Sequence, residues 1–370
     1  MAPLIGREAE LRALAARLPR RRLVTIVGPG GVGKTAVAIA AAHRLNPHYF
    51  ARACLVDLGA LSDPLTISSA IARALGPSRD SPNPRQKTLL ILDSCEHVSQ
   101  AVTGVVEQML ALAPEVHILA TSRQSLRASD ESVFRLAPLA VAPVWSRVSV
   151  AEALAFSAVS LFARRALEVR DTFELGDADV EAVIAICHRL DGLPLAIELA
   201  VMRADLLGVR GLASSLDDCL SLLTRGQRTA STRHRSLRAS LDWSFATLSN
   251  FEQMALRRLA VFAGSFDLHS ATAMMTGEGA TPVTGAVDIV GSLVDKSLLT
   301  ARVTGNKTVF RLLHTPRAYA LGKLEASEES AAIKRRRAQL CCVGGETLPD
   351  WAAAAPLQAT QRTDGNSSAS

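Results

Sequence analysis

"RRLVTIVGPGGVGKTAVAIAAAHRL", residues 21–45, decides the fold. A short apolar run enters a stretch with four glycines in six positions, and an alanine-rich helical pattern leaves it. Gly28, Gly33, Lys34 and Thr35 satisfy G-x-x-x-x-G-K-[ST] between a strand and a helix, the context in which that spacing has a mechanism. Along Gly28, Pro29, Gly30, Gly31, Val32 and Gly33 the backbone can curl so that successive N–H groups face one concavity. The helix beginning near Gly33 adds the positive end of its dipole. Lys34 supplies a point charge for β- and γ-phosphates, and the Thr35 hydroxyl can ligate Mg²⁺. This stretch predicts a phosphate site.

Further along, "TLLILDSCEH" (88–97) reads as a buried strand that delivers Asp93 to its carboxyl end, where a carboxylate can hold Mg²⁺ through water. The next residue is Ser94, where many P-loop ATPases carry a glutamate that activates water, and a hydroxyl cannot take that proton at neutral pH. Glu96 is the nearby carboxylate that could stand in. "HILATSRQSL" (117–126) ends another strand at Ser122 and Arg123, placing an arginine where a γ-phosphate could be read. Lys34, Asp93 and Arg123 are therefore the candidate catalytic residues, with Thr35 and Asp93 the candidate metal ligands.

Around these motifs, the first ~140 residues alternate apolar runs with helical patterns, which predicts an α/β domain with a parallel sheet. The strand candidates are 23–27, 53–58, 88–93, 117–121 and 133–136, with helices at 33–45, 66–75 and 98–112. Domain 1–145 closes on "APLAVAPV" (137–144). Residues 146–223 have helical periodicity throughout, with Asp177 the expected N-cap of one helix and Gly192 and Pro194 at its end. The arginine-rich stretch 224–236 reads as a linker. Residues 237–328 open with Ser249 and Glu252 spaced as a capping box and close with two strand-like runs joined by "TGNK" and a last helix, the pattern of a winged helix. Residues 329–370 read as a helical remnant and a disordered tail.

Composition narrows the field. The 370 residues suffice for two or three domains with a core each. Apolar residues make up 48% but aromatics only 4%, so the cores are expected to be built from Ala, Leu and Val. No apolar run reaches the ~20 residues of a membrane helix. The six cysteines show no C-x-x-C spacing, which together with the charged start predicts a reduced cytoplasmic location. The net charge of +6 is too diluted over this length to name an anionic partner.

"LIGREAEL" (4–11), "GPGGVGKT", "LLILDSCEH", "ATSR" and "GLPLAIELA" (192–200), in this order and spacing, resemble STAND-class NTPases. These are signal-transduction ATPases related to NB-ARC proteins. "HRSLRASLDWSF", "LRRLAVFAGSFDL" and "FRLLHTPRAYAL" look like the winged-helix part of the LuxR- and AfsR-related bacterial subgroup. The resemblance spans roughly residues 3–325. It implies ATP/ADP with Mg²⁺ as cofactors, base-side contacts from Ile5, Gly6 and Arg7, a press on the nucleotide by Pro194, and Arg123 as sensor. Locally, "GRE" is only a turn into a helix with Arg7 in solvent. The chain departs from the subgroup at Ser94, where Asn is frequent, at Leu313, where relatives have a phosphate-touching His, and at His314, where they have an acid.

The resemblance thus implies a cytoplasmic ATP/ADP switch with slow hydrolysis in a transcriptional regulatory system. It further implies a protein output or sensor partner and admits a nucleotide-dependent oligomer. Three alternatives stand beside it: a DNA-binding AAA+ ATPase of the origin-recognition type, a winged-helix transcription factor with Arg302, Lys307 and Arg311 on its wing, and a nucleotide-binding remnant. Direct DNA binding is not the favoured reading.

Overall fold

In the computed structural model the described residues are 4–45, 49–59, 61, 63–76, 87–143, 148–216, 237–275, 283–304 and 307–343. The linker expected at 224–236, the "GN" of the wing turn and residues 344–370 of the remnant and tail expected over 329–370 lie outside them.

Strands β1 (Leu23–Val27), β2 (Arg52–Asp57), β3 (Thr88–Asp93), β4 (Val116–Ser122) and β5 (Ser132–Arg135) form one parallel sheet in the order β2-β3-β4-β1-β5. Parallel strands covered on both faces must be apolar throughout rather than alternating. β1 and β4 accordingly have every residue buried, whereas the edge strand β2 has only Val56 buried. β4 pairs with both β1 and β3, so the strand ending at Arg123 lies between the phosphate-loop strand and the Asp93 strand.

Helices α1 (Glu8–Arg17) and α2 (Lys34–Leu45) pack on one face of the sheet, and α3 (Pro64–Leu75) and α4 (Ser99–Leu112) cover the other. α3 starts two residues before the sequence pattern places it, because the Asp63 carboxylate accepts from the Thr66 N–H and Pro64 occupies the first turn.

Four helices follow: α5 (Val150–Leu154), α6 (Ser157–Val169), α7 (Asp177–Arg189) and α8 (Pro194–Ser215). The expected cap of α7 moves by one: Gly176 holds the extended cap position, and Asp177 is the first helical residue. Its carboxylate there acts on the helix dipole rather than as a cap. The helices α5–α8 do not build a core of their own. Leu161, Phe162, Val183, Ile184 and Ile197 belong to the same continuous apolar cluster as Leu14, Val37 and Leu119. The expectation of one core per domain is corrected here, since the α/β and helical parts share theirs.

The winged-helix part does have its own cluster, centred on Leu256, Leu259, Phe266, Met274, Leu293 and Phe310. It contains α9 (Leu237–Ala246), α10 (Asn250–Leu259), β6 (Phe266–Asp267), α11 (Leu268–Met275), α12 (Val283–Asp295), β7 (Leu299–Thr304), β8 (Lys307–Leu312), α13 (His314–Glu325) and α14 (Ser330–Val343). The Ser249–Glu252 capping box is present, as its spacing predicts. The Glu252 carboxylate also accepts from Lys296 Nζ at 2.6 Å, tying the start of α10 to the end of α12. No described helix is long and apolar enough to cross a membrane.

Candidate functional site

The phosphate loop leaves β1 and enters α2 at Lys34. Gly31 and Gly33 have φ of +79° and +93°, in the left-handed region that favours glycine. A Cβ on Gly28 would stand 2.7 Å from the Leu136 carbonyl oxygen, so the loop can run against the end of β5 only without one. The Lys34 ammonium donates to the carbonyls of Gly28 and Pro29 at 2.7 and 3.1 Å.

Beside it, the Thr35 hydroxyl donates to Asp93 Oδ1 at 2.7 Å, and Thr121 donates to the same oxygen. Ser94 donates its hydroxyl to Asp93 Oδ2 at 3.2 Å and its N–H to Thr121 Oγ1 at 3.0 Å. Asp93 and Thr121 are buried at 4% and 0% exposure, so this network is fixed by the fold rather than by solvent. Sequence reasoning missed Thr121, although a hydroxyl directly before "SR" in an otherwise apolar strand is a legible signal.

The loop opens on a cavity of about 330 Å³. Gly30 through Thr35, Ser94, Glu96, Thr121 and Arg123 form its polar end. Leu4, Ile5, Leu139, Leu161, Pro194 and Leu195 form an apolar slot, in which Leu195 abuts the loop at Gly31. A few convergent polar groups beside an apolar slot is the build of a cofactor-sized site.

The "GRE" segment has a definite place here. Ile5 lines the slot. Gly6 has φ +67° and passes so close to α6 that a Cβ would fall 2.1 Å from Ser157 Cβ. Arg7 is not in solvent: it is 4% exposed, and its guanidinium donates to the carbonyls of Val32 at 3.0 Å and Ala137 at 2.8 Å. Arg7 thus braces the phosphate loop against the strand-end segment while also lining the cavity.

Pro194 opens α8 and lines the slot, and the Leu195 N–H donates to the Gly31 carbonyl at 3.2 Å. The helical part is therefore hydrogen-bonded to the phosphate loop itself. Gly192 makes that approach feasible. With φ +62° and a would-be Cβ 2.3 Å from the Leu139 oxygen, only glycine fits. On the same wall, Arg165 is paired with Glu168 and Glu198, a group that sequence reasoning did not single out.

Arg123 is held from two directions. Its Nε lies 3.4 Å from Glu96 Oε1, and its guanidinium carbon is 4.8 Å from the centre of the Trp243 ring on α9. His97 meets the same indole edge-on at 5.6 Å, and the Ser297 hydroxyl donates to the Arg123 carbonyl at 2.8 Å. The winged-helix part thus reaches the polar end of the cavity. Trp243 lies in the stretch that carries the winged-helix resemblance, but nothing local to it points to Arg123.

Leu313 and His314 do not line the cavity. Leu313 is the N-cap residue of α13, and the backbone N–H groups of His314 and Thr315 donate to Asp191 Oδ1 and Oδ2 at 2.8 and 2.9 Å. Asp191, between α7 and α8, therefore caps a helix of the winged-helix part. Burial pushes its carboxyl up to about 6 against the lowering effect of those two bonds and of Arg311.

The donor set suits Mg²⁺ bound together with phosphates. Thr35 and Asp93 offer hard oxygens side by side, and among the described residues no cluster of three or more His, Cys, Asp or Glu could hold a metal alone. Mg²⁺ keeps waters and substrate oxygens in its shell, so a hydroxyl and one carboxylate are enough.

A glycine-rich P-loop-like turn on a parallel sheet whose middle strand leads into an arginine, followed by helices and a winged helix, defines the P-loop α/β fold with a winged-helix module. The chain belongs to the AAA ATPase domain family, which it matches over residues 3–230, and residues 248–325 match the winged helix-turn-helix domain. A Mycobacterium tuberculosis H37Rv protein with the provisional name of HTH-type transcriptional regulator is 38% identical over 336 residues, covering 88% of this chain and 36% of that protein. The chain thus spans about a third of the length of such relatives. An uncharacterized protein of the same strain is 32% identical over 342 residues, 90% of this chain and 84% of its own length. Among solved structures, a STAND protein with a tetratricopeptide repeat sensor from Pyrococcus horikoshii matches at TM-score 0.34 and 14% identity, over 93% of this chain and 46% of that one. Cdc6p from Pyrobaculum aerophilum matches at TM-score 0.39 and 13% identity, over 92% and 96%. Likenesses this distant carry no argument about activity.

Proposed function

We propose that this chain is an ATP/ADP-operated switch of the signal-transduction ATPase type, acting in transcriptional regulation. The observation that carries this reading is that all three parts of the molecule meet at one arginine and one loop. Arg123 leaves the central strand, rests on Trp243 of the winged-helix part and faces the cavity, while Leu195 of the helical part bonds to Gly31. A γ-phosphate at the polar end would compete with Glu96 and Trp243 for the Arg123 guanidinium, and ADP would not. That difference between two ligands is what shifting a two-state equilibrium requires. Lys34 and the loop N–H groups would hold the phosphates, Thr35 and Asp93 would hold Mg²⁺, and the slot with Ile5 and Pro194 would take the base. The names given to the relatives support a regulatory output.

Direct reading of DNA has less support. Helix α12, which leads into the wing, carries Asp288 and Asp295 and neither Lys nor Arg. The turn after it is engaged with Glu252 and Arg123. A duplex-reading helix draws much of its affinity from cations facing phosphates.

Thermal unfolding with ADP, ATP and GDP tests the proposal. Saturating ADP, at about a hundred times its dissociation constant, should add roughly 2.7 kcal/mol of stability. Lys34→Ala should show no such shift, and GDP should give a much smaller one. Equal shifts with ADP and GDP would remove the adenine assignment, and no shift with either would remove the switch.

A further inference from the structure

The carboxylate expected directly after Asp93 is missing, and the backbone explains where its replacement sits. Ser94 is in the left-handed region, φ +67° and ψ +51°, an uncommon conformation for a serine. The turn it makes sends the Ser94 hydroxyl back onto Asp93 and starts a 3₁₀ turn, Cys95–His97. Cys95 then points into the core, fully buried, and Glu96 comes round to the cavity. One oxygen of Glu96 lies 3.4 Å from Arg123 Nε; the other, Oε2, is buried and has no hydrogen-bond partner among the described residues. An unpartnered buried carboxylate oxygen is costly, and a catalytic role is one reason for a fold to keep it. The other carboxylates lining the cavity, Glu168 and Glu198, stand on the helical wall and are paired with Arg165. On the wall that carries the phosphate loop, Thr35 and Arg123, the lining carboxylate is Glu96.

We infer that Glu96, three residues beyond Asp93, is the general base for ATP hydrolysis in this chain, and that its pairing with Arg123 restrains it. This rests on the nucleotide reading above. Once Arg123 has turned away, a water held by the Glu96 carboxylate gives its proton to Glu96 as its oxygen bonds to the γ-phosphorus. The bond from that phosphorus to the β,γ-bridging oxygen breaks, ADP leaves with the electron pair, and Glu96 later passes the proton to solvent. Arg123 must turn from Glu96 towards the γ-phosphate for this to happen. The Trp243 contact opposes that turn, so turnover is slow until the winged-helix part yields.

Single-turnover hydrolysis of radiolabelled ATP by wild type and Glu96→Gln, beside ADP thermal shifts of both, tests the inference. Glu96→Gln should keep the ADP shift and lose hydrolysis by a hundredfold or more, the scale of a positioned base. ATP, not ADP, should be recovered from the denatured variant. A loss smaller than tenfold overturns the inference, as does a wild type that binds ATP but shows no hydrolysis in a day. If Glu96→Gln lacks the ADP shift because it misfolds, Glu96→Asp is judged by the same tenfold limit. If the wild type binds neither nucleotide, the nucleotide reading itself fails, and this inference fails with it.

Discussion

At the scale of single residues, the phosphate loop and Asp93 were legible because their chemistry is local. Glycines at fixed spacing, an amine, a hydroxyl and a strand-end carboxylate each announce themselves in the sequence. Their supports were not. Thr121 and Trp243 act on residues 28 and 120 positions away, Asp93 and Arg123 respectively. Arg7 reads as a surface residue until Val32 and Ala137 are brought to it. Thr121 carries a prediction. Thr121→Val preserves shape but leaves the buried Ser94 N–H without its acceptor and takes one donor from Asp93. Stability should fall by about 1–3 kcal/mol. The Mg²⁺-dependent part of the ADP thermal shift should shrink more than the Mg²⁺-independent part. Equal stability and an unchanged Mg²⁺ effect would show that Thr121 is no part of the metal-side network.

At the scale of elements, periodicity placed the five strands of the parallel sheet and the helices α2, α3 and α4, errors fell at the ends, and the short β6 was missed. Caps decide helix ends, and a cap is a single geometry: Asp63 and Gly176 each moved a boundary that an apolar pattern cannot register. The joint between α7 and α8 is the element-level feature on which the site depends. Asp191 and Gly192 have φ of +55° and +62°, and Leu139 N–H bonds the Gly192 carbonyl at 3.0 Å. Gly192→Ala adds left-handed strain of about 1–2 kcal/mol and a methyl 2.3 Å from the Leu139 oxygen. We expect a total loss of about 2 kcal/mol or more by denaturant unfolding and a weakened ADP shift, because Pro194 and Leu195 are displaced from the loop. Gly264→Ala, which meets open space without positive φ, is the control and should be near neutral.

At the scale of the whole molecule, the winged-helix part has its own core but is joined to the rest by Asp191 at the start of α13, Trp243 on Arg123 and Ser297 on the Arg123 carbonyl. Asp191 makes this joint pH-dependent. Its carboxyl titrates at about 6 in the fold against an ordinary value of 3.8, so the folded protein keeps a proton that the unfolded chain releases. The resulting stabilisation is complete below pH ~4 and is lost as pH rises to ~6, by about 3 kcal/mol at most. The stability of wild type relative to Asp191→Asn should therefore fall between pH 4 and pH 6 and stay level above. A difference that rises across that window would mean that the two backbone bonds, not burial, govern Asp191. By itself the sequence determined the α/β class, the phosphate loop, Asp93, Arg123 and the winged-helix pattern, because each depends on neighbours within one strand, turn or helix. The resemblance implies the Arg123 strand between the other two site strands, but the edge places of β2 and β5, the core shared by the first two parts, the turn at Ser94 that brings Glu96 to the cavity and the hold of Trp243 on Arg123 were decided only by tertiary structure. They depend on pairings between distant segments, and no local periodicity encodes which surfaces meet.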